Sequence, residues 1–150
     1  MRGFFFTLAL LVIIIPLCPQ GRNGGPPQED DPALCIGLSL EELIHRFGTP
    51  RSVYPVRGME EWQDDVVFVY DEGDFYIIKD RVWQIGLKSA YLIRAGDSRA
   101  AVSLSFGEAL STREDYAVFP LKGKHWPLEL RCNFDSGGKV TAIFIYRSDI

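Results

Sequence analysis

The sequence predicts an α+β fold made of two repeated units, each combining a short helix with an antiparallel sheet, with the helices on one face of the sheet. Three observations predict it: two segments open with a helical pattern, each is followed by β-rich segments and turns, and matching residues recur in order. We therefore assign residues 36–93 to a first unit and 94–150 to a second, together one compact tandem domain. The recurring pairs include Gly37 with Gly96, Ser39 with Ser98, Gly48 with Gly107, Trp62 with Trp126, and Asp71 with Asp135.

The first helix has start and stop signals. Ser39 is a good N-cap, and Glu42 three residues later completes a capping box. Gly48 suits a left-handed C-cap, and Pro50 prevents the helix from continuing. The second unit keeps a capping serine, Ser98, but lacks the acidic box residue, which predicts a weaker helix. Apolar residues at helical spacing line one face of the first helix: Leu40, Leu43, Ile44 and Phe47.

Short β-rich segments follow each helix. The first unit is expected to form strands near 52–56, 66–70, 75–79 and 81–87, with a hairpin turn at 71–74. The second is expected to form strands near 116–119, 128–134 and 139–146, with a turn at 135–138. Apolar and polar residues alternate along 128–134, which indicates a strand with one solvent-facing side.

The N-terminus indicates export. A basic leader is followed by a 14-residue apolar run, Phe4 to Leu17, in the 150-residue chain, which is short for a membrane span but typical of a signal peptide. We predict a signal peptide over 1–18, with an uncleaved anchor as the alternative, and a flexible tether over 19–35. These features predict an envelope location, in the periplasm or at the outer membrane. The net charge of −4 argues against a nucleic-acid partner.

The three cysteines raise separate possibilities. Cys18 ends the apolar run in a sequence that resembles a lipoprotein lipobox, which implies lipidation there; cleavage near Gln20 is the alternative. Cys35 and Cys132 could form a disulfide in an exported domain, or could be two buried free thiols. No metal site is expected, because there is no C-x-x-C pair and few histidines accompany the cysteines.

The segment GLSLEELIHRFGTP at 37–50 resembles the opening of SmpA/OmlA and β-lactamase-inhibitor-protein-like domains. The resemblance extends over roughly 37–147, and the tandem arrangement is similar to that of the inhibitor protein. Members of these families are non-enzymatic and bind proteins, and the inhibitor uses a concave sheet face rich in aromatic residues. The second unit departs from the pattern, since Ala109 stands where Pro50 stands in the first.

No catalytic constellation or cofactor motif is found, and His45 and His125 are expected to be structural or surface residues. We therefore expect a non-enzymatic protein without cofactors. The aromatic residues on predicted strands favour a protein-binding sheet face in an exported, lipid-anchored envelope module. A carrier of a small apolar ligand or lipid is the alternative, and a hydrolase is less favoured. The expected anchors are Tyr70, Tyr76, Trp83 and Tyr146.

Overall fold

The computed structural model describes residues 31–58, 64–123 and 125–150. Eight strands form one antiparallel sheet in the order β1-β2-β3-β4-β10-β9-β8-β7, and β5 and β6 form a separate hairpin. The strands are β1 Ser52–Val56, β2 Asp65–Val69, β3 Asp74–Ile78, β4 Arg81–Leu87, β5 Ser89–Ala90, β6 Ile93–Arg94, β7 Ser111–Thr112, β8 Tyr116–Leu121, β9 Leu128–Phe134 and β10 Val140–Arg147. The helices are α1 Leu40–Phe47 and α2 Arg99–Phe106, and a 3₁₀ turn spans Pro32–Cys35.

The capping signals predicted the helices correctly. Ser39 Oγ accepts a hydrogen bond from the Glu42 amide at 3.1 Å, and Glu42 Oε2 accepts one from the Ser39 amide at 2.7 Å. At the second helix, Ser98 Oγ accepts from the Ala101 amide at 3.3 Å, and no acidic side chain closes the box. Both helices are followed by a glycine with φ of +78°, Gly48 and Gly107, a backbone conformation that glycine adopts without steric cost.

The core lies between the sheet and the two helices. Phe47 of α1 packs against Phe75 with ring centroids 5.1 Å apart, and Phe106 of α2 packs against Phe119 at 5.4 Å. Leu43 and Val102 are the fully buried helix residues. Both helices therefore cover the same face of the sheet, because one cross-strand row joins the two aromatic contacts. That row comprises Phe68, Phe75, Ile85, Ile145, Leu130 and Phe119.

The predicted fold of two repeated helix-plus-sheet units is wrong. Strands β4 and β10, which we had placed at the ends of separate sheets, pair directly, from Ile143 opposite Leu87 to Tyr146 opposite Gln84. This pairing fuses all eight strands into a single sheet and buries Ile85 and Ile145 at its centre. The fold of the described residues is therefore mostly sheet, with two short helices. The predicted boundary between residues 93 and 94 also falls inside β6.

The predictions for the N-terminus mostly lie outside the described residues. These are the signal peptide at 1–18, the lipidation site Cys18, and the tether up to residue 30. The predicted tether ends instead within ordered structure, because Asp31 caps the 3₁₀ turn at Pro32–Cys35. In the part of the chain that the structure describes, no helix combines the length and apolarity needed to span a membrane.

Candidate functional site: the open sheet face

The sheet face opposite the helices, here called the open face, has no helix over it in the described structure. Residues directly opposite each other on antiparallel strands point to the same side of the sheet, so the strand register defines this face. Tyr76 lies opposite Gln84, Gln84 lies opposite Tyr146, and Tyr146 lies opposite Glu129. The complete row across the sheet is Tyr54, Val67, Tyr76, Gln84, Tyr146, Glu129 and Pro120.

Several residues of the open face are buried or half-buried. Val67 is fully buried although no helix among the described residues covers it, and its partners on the neighbouring strands are Tyr54 and Tyr76. Tyr76 meets Phe144 edge to face, with ring centroids 6.5 Å apart. The rings of Tyr76 and Phe144 are themselves half-buried. The open face therefore presents aromatic surface that is ordered by side-chain packing and still accessible.

A β-bulge brings Trp83 to this face. The register between β3 and β4 shifts between Tyr76 and Ile77, so Trp83 and Gln84 both contribute to the open face. The indole Nε1 of Trp83 donates a hydrogen bond to Oδ1 of Asp65 at 3.1 Å. Asp65 is buried, and this burial raises its pKa, while the hydrogen bond from Trp83 acts in the opposite direction.

Next to these aromatic residues lies a groove of about 500 Å³ whose lining is mixed polar and aromatic. Tyr146 donates a hydrogen bond to Glu129 Oε2 at 2.7 Å, and burial together with this bond raises the Tyr146 pKa. Arg131 donates through Nε to Asn133 Oδ1 at 2.7 Å, and its guanidinium lies 4.2 Å from the ring centroid of Tyr116. These contacts hold the polar side chains of the groove in defined positions.

Three of the four predicted anchors lie on the open face: Tyr76, Trp83 and Tyr146. Tyr70 does not. Its ring packs on the helix side against Phe47 and Phe75, at 5.6 Å from each, and its hydroxyl donates to the Gly48 carbonyl at 3.2 Å. Tyr70 is 6% exposed and belongs to the core.

The polar lining of the groove, which includes Gln84, Glu129 and Arg131, was not predicted as part of a site from the sequence. The alternation along 128–134 was a usable signal, because it assigned the side chains of Glu129 and Arg131 to a solvent-facing side. What the alternation could not indicate was that this side adjoins Trp83 and Gln84. That proximity depends on the pairing of β4 with β10.

The remaining candidate residues are scattered. Cys35 and Cys132 are buried free thiols, and burial raises the pKa of each, to about 11 for Cys132. His45 is exposed on α1, and His125 is exposed in the loop before β9. Among the residues that the structure describes, no group of three His, Cys, Asp or Glu side chains could hold a metal ion.

A second cavity, of about 360 Å³, lies on the helix side and is mainly apolar. It opens between α1 and the β5–β6 hairpin, with Phe75 and Ile85 of the sheet and Cys35 of the 3₁₀ turn in its wall. Arg46 and Glu72 also border it, so that charged groups accompany an apolar interior.

Comparisons with known proteins identify no family for this chain. No family model matches it, and no curated protein matches it. A solved structure, an extracellular protein containing an SCP domain from Bacillus anthracis str. Ames, is similar with a TM-score of 0.53 and 13% identity. The match covers 91% of this chain and 51% of that one, so this chain spans about half the length of its structural neighbour. At this identity the similarity concerns the fold alone.

The resemblance to SmpA/OmlA and β-lactamase-inhibitor-protein-like domains is therefore wrong. The resemblance depended on the segment at 37–50, which forms a capped helix followed by a glycine and a proline. This local pattern follows from the chemistry of helix ends. The continuous eight-stranded sheet is not a tandem of such units.

Proposed function

We propose that this chain is an exported, membrane-tethered module of the cell envelope that binds a protein partner through the open face. The apolar leader at 4–17 and the polar segment after it support export and tethering. The solved structure with a similar fold is an extracellular protein, which is consistent with export. Lipidation at Cys18 is part of the proposal, and Cys18→Ala should abolish labelling of the chain by radioactive palmitate. Unchanged labelling would contradict it.

The observation that carries the binding proposal is the ordered, half-buried aromatic surface on a sheet face that no described helix covers. Tyrosine, tryptophan and arginine dominate the energetics of protein interfaces, since each combines a large contact area with a polar group. Tyr76, Trp83 and Tyr146 lie here together with Arg131. Hydrogen bonds already fix Trp83 and Tyr146, so little side-chain entropy would be lost on binding.

A protein partner accounts for this face better than an enzyme substrate. Two charged side chains of the groove are engaged by neighbouring residues: Glu129 accepts a hydrogen bond from Tyr146, and Arg131 donates one to Asn133. An extended surface of aromatic rings flanked by fixed polar groups suits another folded surface or an extended peptide.

Site-specific photo-crosslinking in the producing cells tests this proposal. Benzoylphenylalanine in place of Tyr76 or Tyr146 should crosslink to one defined protein. The matched control carries the same group in place of Leu104, which is 88% exposed on α2, on the opposite side of the sheet. Circular dichroism should show that all three variants fold. Equal crosslinking from Leu104 to the same protein, or no crosslinking from Tyr76 and Tyr146, would contradict the proposal.

A second candidate function, the binding of a small apolar molecule, rests on the cavity beside α1. Its apolar lining and its volume of about 360 Å³ suit a small hydrophobic ligand. Native mass spectrometry of the protein purified from its own cells tests this candidate. An added mass that disappears in the cavity-filling variant Ala90→Leu supports it, and a spectrum without any added mass opposes it.

A further inference from the structure

The β5–β6 hairpin contains a turn whose sequence opposes its geometry. Ser89 pairs with Arg94 and Ala90 with Ile93, which leaves a two-residue turn at Tyr91 and Leu92. Both turn residues have positive φ, 50° and 71°. Two-residue hairpins of this kind favour Asn-Gly, because bulky side chains are strained in the left-handed region. Tyrosine and leucine at these positions therefore need an explanation.

Contacts within the fold explain the presence of Tyr91 in this turn. Its hydroxyl donates a hydrogen bond to Asp31 Oδ1 at 2.6 Å, and its ring meets Phe106 edge to face at 6.1 Å. No such contact explains Leu92, because its side chain is 100% exposed and buries no apolar surface. The fold thus holds a leucine at the tip of the hairpin, in a conformation that leucine disfavours, without gaining any packing from it.

The position of this tip relative to the N-terminal segment suggests what Leu92 contacts. Asp31, the acceptor for Tyr91, is the first described residue, so the tether and the apolar leader join the domain beside this hairpin. Two basic residues lie on either side of the turn: Lys88 is exposed, and the exposed Arg94 of β6 pairs with Asp97 at 4.0 Å. An exposed leucine beside basic residues favours contact with a lipid interface, because burial of apolar surface and attraction to anionic lipids both contribute to binding there.

We propose that Leu92 inserts into the surface of the membrane that carries the tether, and that the β5–β6 hairpin thereby orients the domain on that membrane. The proposal rests on the tethering part of the proposed function. A single leucine gives weak membrane affinity alone, but a tethered loop is held at high effective concentration near the lipid. Contact at this one point turns a freely rotating domain into one with a preferred orientation.

Lipid photo-crosslinking of the full chain tests the proposal. The chain is reconstituted into vesicles of phosphatidylethanolamine and phosphatidylglycerol that contain a phospholipid with a diazirine in its acyl chain. Mass spectrometry then locates the lipid adducts after illumination. We expect adducts on residues 89–94, and an adduct yield there that falls at least about tenfold in Leu92→Asn, since the leucine side chain supplies the apolar contact. The matched control Leu104→Asn should leave the yield at 89–94 unchanged.

Asparagine tolerates the left-handed turn, so Leu92→Asn should melt at the same temperature as the wild type or higher, which excludes misfolding as the cause of a lost adduct. Adducts confined to residues 1–30 would overturn the proposal while leaving tethering intact. A chain that does not float with the vesicles and gains no adducts would overturn both. Crosslinking of 89–94 to a protein in native membranes, without lipid adducts, would assign the tip to a protein partner and also overturn the proposal.

Discussion

Trp83 and Asp65 are joined by a hydrogen bond of 3.1 Å that spans a strand: Trp83 lies on β4, Asp65 on β2, and β3 runs between them. The bulge at Trp83 allows this reach, since it turns two consecutive residues of β4 toward the open face. The bond fixes the indole plane and supplies a donor to a buried carboxyl group. It therefore links the stability of the sheet to the shape of the proposed binding surface.

The first prediction concerns the charge of Asp65. Burial raises the pKa of Asp65, so its ionised form is disfavoured in the folded state. Its contribution to stability is then most favourable below the ordinary aspartate pKa of about 3.9 and declines as pH rises through the raised value. Asp65→Asn keeps an oxygen acceptor for Trp83 and removes the charge. The variant should have a larger free energy of unfolding than the wild type at pH 7.

Urea unfolding of both proteins at pH 7 and near pH 4 provides the measurement. The difference between their free energies of unfolding at each pH cancels the contributions of the other carboxyl groups, which both proteins share. The gap between variant and wild type should shrink toward pH 4. A gap that stays constant or widens on acidification would show that the charge of Asp65 does not destabilise the fold.

A second prediction compares the two helix caps. Ser39 takes part in a complete capping box, whereas Ser98 makes one longer bond to the Ala101 amide. Ser39→Ala should lower the free energy of unfolding by about 1 kcal/mol, and Ser98→Ala by about 0.5 kcal/mol. Chemical denaturation of the two variants measures both values. An equal or larger loss at Ser98 would mean that packing of α2 depends on its cap more than the hydrogen bonds indicate.

The third prediction concerns Cys35 and Cys132. Both are buried free thiols, and with its pKa raised to about 11, Cys132 would be roughly one part in a thousand thiolate at pH 8. Without reductant, iodoacetamide should leave both unmodified in the native protein and alkylate both in denaturant. Mass spectrometry of the peptides measures the extent of alkylation at each cysteine. Two cysteines that become alkylated in denaturant only after reduction would show a disulfide instead.

The sequence predicted local structure better than long-range structure. The capping pattern at Ser39 and Glu42, and the alternation along β9, depend on neighbours a few residues away, and both predictions agree with the structure. The pairing of β4 with β10 was missed, because both strands have buried apolar residues that suit any central position in a sheet. Nothing local indicated which strand would lie beside which.

Long-range packing also explains why Tyr70, unlike the other predicted anchors, does not lie on the open face. The alternation of side chains over residues 66–70 and along β3 assigned Tyr70 and Tyr76 each to one side of the sheet. Which side the helices cover depends on tertiary packing. Tyr70 follows Val66 and Phe68 in parity and lies with them toward the helices, whereas Tyr76 lies opposite Val67 on the open face. Trp83 reaches the open face only because of a bulge, and no turn residue or glycine in the sequence indicated that bulge.

Binding through the open face is tested by the affinity of the protein captured by crosslinking for purified variants of this chain. Tyr76→Ala combined with Tyr146→Ala should weaken binding at least about thirtyfold, as expected for interface hot spots. The matched control, Ile44→Ala combined with Leu104→Ala, removes exposed apolar side chains from the two helices and should bind like the wild type. Wild-type affinity in the tyrosine variant, or an equal loss in the helix variant, would contradict the assignment of binding to the open face.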